Sequence, residues 1–160
     1  LEGFPAAVVR LAFSPDGSLF VGMTNRGWSS LGNRAYGLSR VNYNGVTPFA
    51  IQEMRAKPDG FELQFTEAVD LATLKDAFEM SSYTYFYSSA YGGEEIETET
   101  LKITKIEQGK EGRTVRLFVE GLRPLFVHEL RTSGIRSTGG EALAFPNAYY
   151  TLNRIPELDP

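Results

Sequence analysis

Two short stretches carry residue types whose spacing suits ligand chemistry. In Asn25-Arg26-Gly27-Trp28 a guanidinium stands beside the chain's only tryptophan, a pairing that suits a carboxylate, a sugar or a quinone. In "SSYTYFYSSAYGG", residues 81–93, Tyr83, Tyr85 and Tyr87 alternate, so on a strand they share one face, with Tyr91 on the loop that follows. Side by side, such rings form a flat platform with polar rims, suited to a carbohydrate ring or a partner protein. Each stretch also has a plain packing use: Trp28 covering a sheet beside a solvated Arg26, and the tyrosines covering the outside of a β-layer. Packing is the expectation at both.

Catalytic chemistry finds few residues to work with. The single histidine, His128, lies in "FVHELRT", and no cysteine accompanies it, so a metal site would need carboxylate help. A surface or half-buried strand histidine is expected. Glu94, Glu95, Glu97 and Glu99 lack the spacing and turn glycine of an EF-hand loop and read as a solvated loop and strand start. No Gly-x-Ser-x-Gly elbow accompanies the serines, and no glycine-rich loop opens a helix. No catalytic residue and no metal site is assigned, and among 20 acidic residues the sequence selects no carboxylate pair.

The charge balance narrows the partners. The 160 residues carry a net charge of −4, with Arg10, Arg26, Arg34 and Arg40 outweighing Glu2 and Asp16 in the first 47 and the acidic excess in the remainder. Phosphate neutralisation needs clustered Lys and Arg, so no nucleic-acid partner is expected. No apolar run approaches the length that spans a bilayer, so no membrane span is expected either. The start at Leu1, within "LEGFPAAVVR", reads as a piece of a longer polypeptide.

The elements that must position these residues are strands. Residues 1–47 show three alternating segments, 6–13, 18–24 and 36–44, with a Ser14-Pro15-Asp16-Gly17 turn between the first two and a long polar loop, 25–35, between the others. They form a meander. From Pro48 the strands lengthen: 49–56 and 61–66 flank a Lys57-Pro58-Asp59-Gly60 turn. Asp70 is a good N-cap for one or two turns of helix bearing Leu71 and Leu74. Strand signals resume at 78–88, 99–108, 114–121, 126–133 and 148–154, separated by glycine-rich turns.

Seven strands at this spacing describe an immunoglobulin-like β-sandwich. Its expected core holds Phe61, Leu63, Phe65, Leu101, Ile103, Ile106, Val115, Leu117 and Val119, with Lys102, Thr104, Arg116 and Glu120 outside. The fold class is therefore all-β: a propeller-blade-like antiparallel meander, 1–47, an Ig-like sandwich with one short helical linker, 48–155, and a linker, 156–160.

The hairpin built on Phe13, Pro15, Asp16, Gly17, Leu19, Phe20 and Val21 resembles the "F-x-P-D-G-x-L-[YF]-V" hairpins of bacterial glucose/sorbosone dehydrogenase and NHL-type propellers, in the position of a closing blade. The segment containing Thr66, Glu67, Val69 and Asp70 resembles bacterial Ig-like modules that follow such propellers. The resemblance implies a periplasmic or extracellular, non-catalytic module that supports a propeller or binds, in association with carbohydrate. Its blade face would be covered by the rest of the polypeptide or by another chain. The alternative it implies is part of a quinone-dependent sugar dehydrogenase using pyrroloquinoline quinone and calcium, whose catalytic blades and calcium ligands lie outside this chain and in which the loop at Asn25, Arg26 and Trp28 would face the central channel. Otherwise no cofactor is expected in this chain.

Overall fold

A computed structural model describes residues 3–25, 32–89 and 91–157. All the regular elements among them are antiparallel strands, apart from one 3-10 turn. The chain divides into two compact units, Leu1–Val46 and Thr47–Pro160.

The first unit is a three-stranded sheet, β1 (Val8–Phe13), β2 (Leu19–Thr24) and β3 (Tyr36–Val41), in that spatial order. Its first hairpin closes as turn chemistry dictates: the Gly17 amide donates to Ser14 O at 2.9 Å, and Gly17 takes a φ of 82°, where glycine avoids the steric cost of a Cβ. The Asp16 carboxylate accepts from the Ser18 amide (3.0 Å) and hydroxyl (2.7 Å) and pairs with Arg40. The Ser18 bonds hold that carboxyl below its ordinary range. Asp16 is thereby a turn residue. Among the described residues, Ala6, Val21 and Met23 form the buried cluster of this sheet, whereas Leu11 and Phe13 are 61% and 79% exposed.

The second unit is a two-layer sandwich. One layer has the order β4-β5-β9-β8, from β4 (Ile51–Lys57), β5 (Gly60–Phe65), β8 (Ile103–Gln108) and β9 (Thr114–Val119). The other runs β11-β10-β6-β7, from β6 (Phe78–Tyr85), β7 (Glu95–Leu101), β10 (Phe126–Thr132) and β11 (Asn147–Leu152). Period-two alternation fills the space between them. Phe61, Leu63, Phe65, Val115 and Leu117 are fully buried and meet Met80 and Leu130 of the facing layer. Each such side chain contributes about 1.5–3 kcal/mol on leaving water.

The expected single strand 99–108 is two. Chain pairing passes from one layer to the other at Lys102, between Leu101, opposite Met80, and Ile103, opposite Val119. The sandwich therefore has eight strands where seven were expected. A bulge between Ile103 and Lys105 adds one residue to β8, which brings Ile103 and Ile106, of opposite parity in sequence, to the same inner face.

The helical linker is a single 3-10 turn, Leu71–Thr73, capped by Asp70, whose side chain accepts from the Ala72 amide at 3.0 Å. Leu74 is buried below it, while Leu71 stands exposed, because so short a turn buries no complete apolar face.

Candidate binding face of the sandwich

Residues of odd number on β6, β10 and β11 point away from the core and build the outer face of their layer, in register rows. One row reads Tyr149, Glu129, Ser81 and Thr100; on one side of it lie Asn147, Arg131 and Glu79, and on the other Thr151, Val127 and Tyr83. At the centre is Glu129, a charged residue only 6% exposed although it lies on the outer face. Its carboxylate accepts from Arg131 Nε (2.9 Å) and Nη2 (3.1 Å) and from the Tyr149 hydroxyl (3.2 Å). The Arg131 bonds hold the Glu129 carboxyl below its ordinary range, outweighing the opposing effect of burial. Bidentate pairing also fixes the guanidinium plane.

The tyrosines do not form one strand platform. Regular pairing of β6 stops at Tyr85, three residues short of the expected end, so Tyr87 leaves the sheet and stands 99% exposed in the following loop with Phe86 and Tyr91. Tyr83 lies opposite Val127 with its ring edge-on to Tyr85 at 5.5 Å between centroids, and is buried. Burial pushes its phenol up, so it stays protonated. Tyr83 and Tyr85 share the outer face with Glu129, and Tyr149 flanks the carboxylate from β11. Sequence reasoning passed over Glu129, Arg131 and Tyr149. The alternation in "FVHELRT" was the signal that two charged residues share one face.

A bulge interrupts the β6–β7 ladder at Tyr83. Glu97 and Thr98 both lie opposite that tyrosine, and Glu97 takes a φ of 54°. Arg123 holds the bulge: it donates to Glu97 O (2.6 Å) and Ser82 Oγ (3.2 Å), stacks 3.7 Å above the Phe126 ring and pairs with the Glu97 and Glu99 carboxylates. Part of the acidic run is thus structural.

His128 corrects a second expectation. It points inward from β10 and is fully buried, its ring 5.3 Å from Phe61. Nδ1 pairs with Phe126 O (3.3 Å) and Nε2 accepts from the Arg123 amide (3.4 Å), which sets the Nδ1–H tautomer. Burial lowers its pKa and keeps it neutral. It is a core residue with both ring nitrogens engaged.

In the first unit, the Asn25 amide donates to Ala35 O at 2.9 Å, extending the β2–β3 pairing. Arg26 and Trp28 lie outside the described residues. Among the described residues no group of three or more His, Asp or Glu gathers at metal-binding distance, and no helix is long and apolar enough to cross a membrane.

No family model matches the chain, and no curated protein matches its sequence. Two solved structures share its fold. The S-layer protein rSbsC(31-844) superposes with a TM-score of 0.50 at 19% identity over 67% of this chain. Domains 1–6 of the surface layer protein SbsC give 0.51 at 19% identity over 69%. In both, the match spans only 14% of the longer chain. The likeness is one of all-β, sandwich-type fold.

Proposed function

We propose that this chain is a non-catalytic structural module of a larger protein displayed outside the cell, and that it associates there with carbohydrate. The observation behind the structural role is the closed two-layer core in a fold shared with domains of a surface-layer protein. That core also absorbs His128, the residue a hydrolytic or metal-based mechanism would most need. Carbohydrate association draws its support from the outer face of the β11-β10-β6-β7 layer, where Tyr83, Tyr85 and Tyr149 share one face with the locked Glu129–Arg131 pair. Sugar recognition combines such ring edges with fixed polar groups.

Antibody labelling of the protein on intact cells tests the location. Labelling without permeabilisation is expected; labelling only after the cytoplasmic membrane is breached overturns the reading.

A further inference from the structure

We infer that the groove opened where β7 leaves its layer is a subsite for a neutral sugar ring, an inference that rests on the carbohydrate association proposed above. β7 pairs with β6 only as far as Leu101, opposite Met80. Below that point the start of β6 has no strand on that side within its layer, and a groove of about 380 Å³ occupies the gap. This volume falls within the range of small-molecule sites, about 300–1,000 Å³.

The floor and walls differ in chemistry. Half-buried Phe78 and Ile103 supply the apolar part of the lining, suited to the C–H face of a pyranose. Ser81 and Thr100 bring hydroxyls, which both donate and accept. Glu79 brings acceptors. Arg131 brings donors on a guanidinium already fixed by Glu129 through Nε and Nη2, leaving Nη1 outside that pair. Fixing the donor in advance removes part of the ordering cost of binding.

Charge and geometry select the class. Two carboxylates, Glu79 and Glu129, face one guanidinium, which disfavours an anionic ligand such as a uronate. An added peptide strand needs a run of free backbone, and β6 offers only its first residues before Met80 meets Leu101. A ring with hydroxyls at its edge and carbon at its face matches all of these walls.

Isothermal titration of the whole chain with neutral hexose oligosaccharides, uronate oligosaccharides and a lysine-rich peptide tests the assignment. Thr100 is exposed, so Thr100→Trp fills the groove without touching the core; the isosteric Glu79→Gln is a second variant, and melting temperatures verify folding. Neutral oligosaccharide binding is expected, weakened roughly tenfold or more by Thr100→Trp, roughly threefold to tenfold by Glu79→Gln, and unchanged by Tyr87→Ala or Tyr91→Ala. Neutral binding that survives both groove variants, whether or not it is lost on removing Tyr87 or Tyr91, overturns the groove while sparing carbohydrate association. Binding of no oligosaccharide overturns both. Binding of only the uronates or the peptide overturns the neutral-sugar assignment.

Discussion

Both units of this chain build hairpins on a Pro-Asp-Gly turn, yet one sheet buries three apolar residues and the other belongs to a core of fourteen. The turns differ in what their glycines do. Gly17 takes a positive φ with open space where a Cβ would stand, whereas at Gly60 a Cβ would lie 1.9 Å from Leu117 O, in the path of the adjacent strand. The first glycine answers to its own backbone alone, the second, at a φ of 151°, to its neighbour as well. Turn chemistry alone starts a sheet; a neighbouring strand laid close against the turn makes its glycine indispensable, because close packing leaves no room to adjust.

Separation of the units gives the strongest test of this contrast. A fragment of residues 47–157 is expected to melt cooperatively by circular dichroism, while residues 1–47 alone give little β-signal; a cooperative transition from the shorter fragment would break the comparison. Next in size, Phe61→Ala removes a ring set between His128 and Tyr150 and is expected to cost about 3–5 kcal/mol in denaturant titration. Gly60→Ala is expected to cost at least about 2 kcal/mol because backbone must move, and Gly17→Ala about 1 kcal/mol because only φ is strained. Equal costs at the two glycines would remove the distinction.

The pH response sharpens the same contrast. His128 has a folded pKa below its unfolded value near 6.5, so the unfolded state takes up the proton first. Stability is full above that pH and declines as pH falls through it, by at most about 1.4 kcal/mol per pH unit. Glu129, also lowered on folding, adds a contribution that is present above its unfolded pKa near 4.5 and is lost as pH falls further. The midpoint of urea unfolding of the sandwich is therefore expected to fall between pH 7.5 and 5.5. His128→Gln is expected to flatten that interval and leave the lower one.

Much of this was legible in the residues. Alternation at Phe61, Leu63 and Phe65, and at Val115, Leu117 and Val119, marked inner faces that the sandwich fills, and Asp70 announced its cap. Where reading by period failed, the deciding contact was remote. Nothing near Lys102 marks a change of layer, since its flanks alternate as smoothly as one strand. His128 was expected at the surface or half-buried because its partners, Phe61 and the Arg123 amide, are assembled only by the fold. The tyrosine alternation ran on through Tyr87 although pairing ended at Tyr85, two residues past the bulge at Tyr83 that Arg123 holds. Glu129 was passed over because Tyr149, which helps Arg131 close around it, is brought there only by the pairing of β10 with β11.

The passage of one continuous segment from β7 into β8 has a mechanical consequence. Because Leu101 and Ile103 are neighbours in the chain but belong to opposite layers, the two sheets are stitched by covalent backbone at that edge. Sliding one layer past the other must tear ladder hydrogen bonds rather than merely part apolar surfaces. Shear is resisted there by many short-range bonds loaded together.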